Sequence, residues 1–248
     1  MRIAVLNDIH GNLPALEAVF EDVHRSDVDR IVVGGDILPG PMSHQVLDRL
    51  QSERVTVEFI YGNGEVAVLD QVAGRAPKVP EAYAPSIRWN AGQLNAAQRT
   101  LIASWPMTLR LNVPAFGDVL FCHATPRDEN EIFTRLTAED RLTTIFDPVN
   151  AALVVCGHTH MQFDRMVGKT RVVNAGSVGM PFGRAGADWL LLGPDIELRH
   201  TDYDLADAAE RIRRSGYPAA DEFVTKYLLD PPSAEEMLKA YNRLAPTA

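Results

Sequence analysis

Residues 154–160 read VVCGHTH: an apolar run meets a glycine and then two histidines, His158 and His160, one residue apart. A short β-branched run of this kind is the pattern of a strand buried on both faces. The glycine ends the run, so the histidines stand just past its carboxyl end. One His-x-His has an ordinary reading as a hydrogen-bonded turn. Its meaning depends on what the rest of the chain delivers to the same place.

The same grammar recurs four times. IAVLND (3–8) leads into Asp8 and His10, IVVGGD (31–36) into Asp36, FIYGN (59–63) into Asn63, and VLFCH (119–123) into His123. In open α/β sheets, ligands bind beyond the carboxyl ends of the strands, so one sheet edge would collect these side chains. Asp8, His10, Asp36, Asn63, His123, His158 and His160 are seven candidate metal ligands. Seven exceed the needs of one transition-metal ion and suit two divalent ions that share a bridging carboxylate. Mixed imidazole and oxygen donors suit Mn, Fe, Zn, Co or Ni.

The 248-residue chain is 46% hydrophobic and 23% charged, which is ordinary for a globular protein. Its net charge of −9 argues against a nucleic-acid polymer as partner. An anionic substrate therefore needs a local positive centre, which two divalent cations supply. The N-terminal MRIAVLND turns polar too early for a signal peptide, and no apolar run reaches membrane-spanning length. A cytoplasmic protein with no membrane partner is expected. Cys122 and Cys156 end apolar runs, as free buried thiols do, and no CxxC site is present.

Between the strands, Leu13–Val23 has helical apolar spacing, with Asn12 as N-cap and Pro14 in the first turn. Further helices are predicted from Ser43 and Asn95, hairpins around Gly168 and Gly193, and helix again from Asp204, where Ser233 and Glu236 have capping-box spacing. A single domain is expected over 1–248, with a motif-bearing core to about residue 200 and a helical extension over about 204–248.

Taken in order, DIH (8–10), GGD (34–36), GN (62–63), His123 and GHTH (157–160) resemble the calcineurin-like metallophosphoesterases. NDIHGN (7–12) and NAGSVGMP (174–181) resemble their smaller bacterial phosphodiesterase-like branch, and the likeness spans residues 3–180. The resemblance implies an α/β four-layer α/β/β/α sandwich of two mixed sheets with C-terminal helices appended. It implies two divalent metal ions, manganese first among them, with Asp8, His10 and His160 on one and Asn63, His123 and His158 on the other. Asp36 would bridge them, and a metal-bridging hydroxide would attack a small phosphate ester. The function implied is a metal-dependent phosphohydrolase, a phosphodiesterase before a phosphomonoesterase or nucleotidase. A non-catalytic scaffold of the same fold, as in the retromer coat, is the alternative from another class.

Two positions depart from the family pattern. Asn7 stands where many relatives have serine, and it is not an expected ligand. In GNGE (62–65), Gly64 replaces the histidine that protonates or positions the leaving group in phosphomonoesterase branches, and relatives without it tend to be phosphodiesterases. Glu65 and His44 are the side chains that could substitute, His44 against a reading as an exposed loop histidine, and a positive φ would explain a glycine at 64. Arg127 is a candidate phosphate clamp, against a reading as a surface ion pair. Asn12 is a candidate phosphate contact at a helix N-terminus, against simple capping. Tyr83 and Trp89 are candidates to face a substrate, against a default reading as packing, and His24 and His200 have no legible partner.

Overall fold

The apolar runs pair into two sheets. In the computed structural model, which describes residues 1–244, β1 (Ile3–Leu6), β2 (Arg30–Val33) and β3 (Thr56–Phe59) are parallel neighbours. β9 (Ala187–Leu192) and β10 (Ile196–Thr201) extend that sheet antiparallel, in the order β10-β9-β1-β2-β3. The second sheet has the order β4-β5-β6-β8-β7, from β4 (Thr108–Val113), β5 (Gly117–Cys122), β6 (Leu153–Cys156), β7 (Phe163–Val167) and β8 (Thr170–Asn174). In it β5, β6 and β8 are parallel and the two edge strands antiparallel.

Side-chain alternation decides the layers. Ile3 and Val5 of β1, Val32 of β2 and Leu190 of β9 pack against Val119, Phe121, Leu153, Val155 and Val173 of the other sheet. The alternate residues Ala4, Leu6, Ile31 and Val33 face outward onto α1 (Leu13–Arg25) and α2 (Ser43–Gln51), through Leu16, Val19, Phe20, Val46 and Leu47. On the far side, Leu120, Val154, Cys156 and Val172 meet Leu142, Ile145 and Phe146 of α6 (Glu139–Phe146). This is the four-layer sandwich of two mixed sheets. It explains why β1 and β6 are apolar without alternation: both faces are covered. β3 is the exception, partly exposed along its length because it is the edge of its sheet.

Local chemistry sets the element ends. Asn12 Oδ1 accepts the Ala15 N–H at 3.2 Å to start α1. Asn95 and Gln98 form a reciprocal capping box at the start of α5 (Ala96–Ala103). Ser233 and Glu236 do the same before α9 (Ala234–Leu244). Both expected hairpins form, β7–β8 and β9–β10. α3 (Asn63–Val72), α4 (Ala84–Gln93) and α6 are helices that the apolar pattern alone did not announce. His24 pairs with Glu53 at 3.1 Å, and His200 Nδ1 lies 2.6 Å from Asp188 Oδ1, so both have partners.

The C-terminal helices are packed onto the body rather than merely appended. Ile212 of α7 (Leu205–Arg213), Phe223 of α8 (Ala220–Phe223) and Leu228 cluster with Trp89 and Met180. Leu238 and Tyr241 of α9 cluster with Met161 and Phe182. Among the described residues, no helix is long and apolar enough to cross a membrane.

Phe121 fills the space between the sheets at 1% exposure. Phe121→Ala is expected to lower the unfolding free energy by about 3–5 kcal/mol in urea titration. Leu136→Ala, at a position 60% exposed, should change it by less than about 0.5 kcal/mol.

Candidate metal centre

β1, β2, β3, β5 and β6 release their chains at one edge of the sandwich, and the loops that follow bring all seven candidate ligands together. The ligand atoms of Asp8, His10 and His160 lie within 4.8 Å of one another, and those of Asp8, Asp36 and His123 form a second such group. Asp8 Oδ1 lies 3.9 Å from His10 Nε2, 3.8 Å from His123 Nε2 and 3.2 Å from His160 Nε2. Asp36 turns Oδ1 toward His123 Nε2 (3.6 Å) and Oδ2 toward His10 Nε2 (3.8 Å). Asn63 Oδ1 is 3.0 Å from His123 Nε2, and the His158 ring meets the His123 ring edge-on at 5.1 Å.

The backbone bends sharply to achieve this. Asp8, His10, Asp36, His158 and His160 all have positive φ, between 45° and 65°. Asp and His tolerate the left-handed region better than branched residues, yet each such residue costs roughly 1–3 kcal/mol and persists only where the surroundings over-determine it. Neighbouring loops do so here. His10 N–H donates to the Asp36 carbonyl at 2.9 Å, and the Asp8 carbonyl accepts from Ser177 Oγ at 2.7 Å and Gly179 N–H at 3.0 Å. His158 N–H donates to Asp8 Oδ2 at 2.8 Å.

Backbone carbonyls set the imidazole tautomers. Nδ1 of His10, His123 and His160 lies against the carbonyls of Pro39 (3.2 Å), Gly34 (2.9 Å) and Met180 (2.9 Å). A carbonyl only accepts, so each Nδ1 carries a proton, which leaves Nε2 as the nitrogen that a cation would take. His10 and His160 then oppose two Nε2 atoms at 3.2 Å. Two lone pairs at that distance repel, and a cation between them turns the contact into ligation. Burial and His160 push His10 down to about 3, and burial and His123 do the same to His158, so both are neutral at pH 7. Burial raises the Asp8 carboxyl, but His160, His123 and His10 outweigh it and hold the group well below its ordinary value. Burial and Asp8 together push Asp36 up. Among the described residues, Asp8 Oδ1 and His158 Nε2 are buried without a hydrogen bond. Buried lone pairs, two carboxylates and neutral imidazoles are a donor set that fits divalent cations.

Two residues of GNGE organise the site rather than react in it. Glu65 is fully buried, with Oε2 accepting from the N–H groups of Asp36 and Gly62, both at 2.8 Å, and Oε1 from Leu38 at 3.0 Å. Both oxygens are occupied, so Glu65 is a positioning residue and no proton donor to a leaving group. Gly64 is required for space: a Cβ there would sit 1.9 Å from the Leu38 carbonyl oxygen. Its φ is not in the positive region, which corrects the conformational explanation. Its N–H donates to Asp36 Oδ1 at 2.7 Å. His44 lies in the first turn of α2, outside both ligand groups.

The two candidate substrate contacts are otherwise engaged. Arg127 is paired through Nε (2.9 Å) and NH2 (2.6 Å) with Glu131, the surface ion-pair alternative. Asn12 is fully buried, and besides capping α1 its Nδ2 donates to the Gly179 carbonyl (2.9 Å) and Tyr203 (3.1 Å), leaving no atom for a phosphate. Ser177 and Met180 hold Asp8 and His160 in place, roles that only the NAGSVGMP stretch hinted at.

A two-sheet sandwich with a buried imidazole and carboxylate centre at the strand ends defines a class of metal-site hydrolases. Residues 1–193 match the calcineurin-like phosphoesterase superfamily domain, and the chain belongs to this superfamily of phosphoric ester hydrolases, which use divalent metals. An uncharacterized protein of Methanocaldococcus jannaschii is 25% identical over 236 residues, covering 87% of this chain and 93% of its own. A hypothetical protein of Pyrococcus horikoshii shares the fold with a TM-score of 0.78 at 19% identity, over 94% of this chain and 99% of that one. A metallophosphoesterase of Sphaerobacter thermophilus does so at 0.71 and 24% identity, over 91% and 97% of the two chains.

Glu65→Gln would set an amide NH2 against backbone N–H groups, and metal affinity is expected to fall about 10- to 100-fold in competition with a chromophoric chelator. Gly64→Ala should cost about 1–3 kcal/mol of stability, read as a lowered melting temperature. Gly64→His should not fold into this loop at all.

Proposed function

We propose that the chain is a phosphodiesterase acting on a small phosphate ester with two divalent metal ions, manganese the first choice. Asp8, His10 and His160 would hold one ion and Asn63, His123 and His158 the other, with Asp36 shared between them. The observation that carries this assignment is the pair of ligand groups meeting at Asp8, with Asp36 turning a different oxygen toward each side. Asp8 Oδ2 and Asp36 Oδ1 each also accept a backbone N–H, so the choice of Asp36 as the bridge rests on its turning one oxygen to each side. When bound, such a pair supplies an activated water and neutralises charge developing on the phosphoryl group.

The residues of the chain do the rest. Three imidazoles are locked by carbonyls with Nε2 inward, and Glu65 ties the Asp36 and Gly62 turns together. Position 64 can offer no acid, since the Leu38 carbonyl fills the space a side chain would need. Departure of the leaving group then depends on its own acidity, and a positioned acid of the kind missing here contributes about 10²- to 10⁴-fold. That favours diesters of acidic alcohols over alkyl esters and simple monoesters. Two buried, unpaired thiols accord with a cytoplasmic location.

Elemental analysis of metal-reconstituted protein should find about two ions per chain. Asn63→Ala or His123→Ala should lose one of them, and a wild-type ratio at or below one refutes the binuclear assignment. Asp36→Asn should impair turnover more than His160→Ala. Chelation should abolish activity and divalent metal restore it; hydrolysis that survives exhaustive chelation would favour a different mechanism.

Across a series of diesters, log kcat should fall steeply with leaving-group pKa. A flat series in the wild type would mean that an acid is already in place.

A further inference from the structure

His160 is the candidate ligand whose ring leans on a group outside the ligand set. Among the described residues, the rings of His10, His123 and His158 meet only other candidate ligands, whereas the His160 ring also stacks on Phe182, with centroids 5.0 Å apart and planes 21° apart. The same loop grips His160 twice more. The Met180 carbonyl accepts from its Nδ1 at 2.9 Å, and the Phe182 N–H donates to its carbonyl at 3.3 Å. His160 needs such a hold, because its φ of 56° lies in the left-handed region. Its Nε2 is 3.2 Å from both Asp8 Oδ1 and His10 Nε2, so a small swing of the ring changes the spacing of that ligand group. Phe182 is itself held from the C-terminal end of the chain. It clusters with Met161 and with Leu238, the buried side chain of α9, and its ring meets Tyr241 of the same helix at 6.4 Å. Just ahead of α9, the Pro232 carbonyl accepts the Gly183 N–H at 2.9 Å. This helix lies beyond residue 193, where the family match ends.

We propose that Phe182 is a positioning residue for His160, and that α9, by backing Phe182, tightens the binding of the ion assigned to Asp8, His10 and His160. The inference rests on that assignment. Packing alone would be served by any apolar side chain at position 182. A flat ring does more, since it fixes the plane of the imidazole stacked on it, at a separation ordinary for aromatic pairs. An imidazole that ligates a divalent cation is drained of electron density, and the negative face of a phenyl ring attracts it more strongly than it attracts free imidazole. The stack therefore favours the ligated state, and its loss appears as weaker metal binding and not only as lower stability. Phe182 and His160 are 9% and 7% exposed, so little water competes with the contact.

Titration of metal-free protein with cobalt(II) against a chromophoric chelator tests this. In Phe182→Leu one of the two affinities should fall about tenfold or more, the range typical of groups that orient a ligand, while Phe182→Tyr keeps both. Leu238→Ala should lower the same affinity by a smaller factor. Phe146→Leu, in the cluster on the outer face of the second sheet, should lower the melting temperature and leave both affinities unchanged. In a His160→Ala background, Phe182→Leu should change metal affinity by less than about twofold, because the ring acts through His160. Unchanged affinities in Phe182→Leu, equal losses in Phe182→Leu and Phe182→Tyr, or a loss that persists in the His160→Ala background overturn the positioning role; no change in Leu238→Ala removes α9 from it. A wild type that binds a single ion refutes the binuclear reading alone, and the variants are then compared on that ion. A wild type that binds none refutes the metal reading, and solvent exchange of the His160 Nδ1–H, read by NMR, decides instead. A proton signal kept in the wild type and Phe182→Tyr but lost in Phe182→Leu sustains the positioning role; equal signals overturn it.

Discussion

The structure is organised around one buried carboxylate. Asp8 has no exposed surface, sits at the end of the central strand of its sheet, and has one oxygen pinned by the His158 N–H while the other faces three imidazoles. Removing a charge from water costs several kcal/mol unless opposite charge and hydrogen bonds replace the solvent. The surrounding histidines have their Nδ1 protons committed to backbone carbonyls, so their inner nitrogens are the ones left to hold a cation. Divalent cations satisfy both sets of groups at once.

Holding Asp8 there demands that loops from distant parts of the chain approach backbone to backbone. The loop after β8 lies so close to β1's exit that a Cβ on Gly179 would sit 1.9 Å from the Ile9 carbonyl oxygen. The same loop supplies Ser177 to the Asp8 carbonyl and Met180 to His160. Met180 in turn packs among the C-terminal helices. Those helices therefore buttress the site, and the ligand geometry extends its requirements to residues well outside the motifs.

Gly64 links this packing to the chemistry. Its departure from the family pattern is legible as a missing acid, but the cause is steric: the Leu38 carbonyl occupies the space of a side chain. The same turn ties Glu65 to three backbone amides and Gly64 to Asp36. A loop built this tightly can position the Asp36 carboxylate and cannot also carry a proton donor at position 64.

The sequence alone determined the buried strands and the identity of the candidate ligands, because both depend on local rules, while the four-layer arrangement was implied by the family resemblance. Strands covered on two faces must be apolar without alternation, and the polar residues that follow them emerge at the strands' carboxyl ends, here from both sheets. Asp8, His10, Asp36, Asn63, His123, His158 and His160 were legible in this way. Tertiary structure decided the rest. Whether Arg127 and Asn12 face a phosphate or are engaged elsewhere was open in the sequence because their partners, Glu131 and the Gly179 carbonyl, carry no motif. Glu65 as a brace and the steric reason for Gly64 both depend on contacts across loops. Periodicity encodes which face a side chain takes, whereas the distance between loops follows from how two sheets and their helices pack, and no local spacing records it.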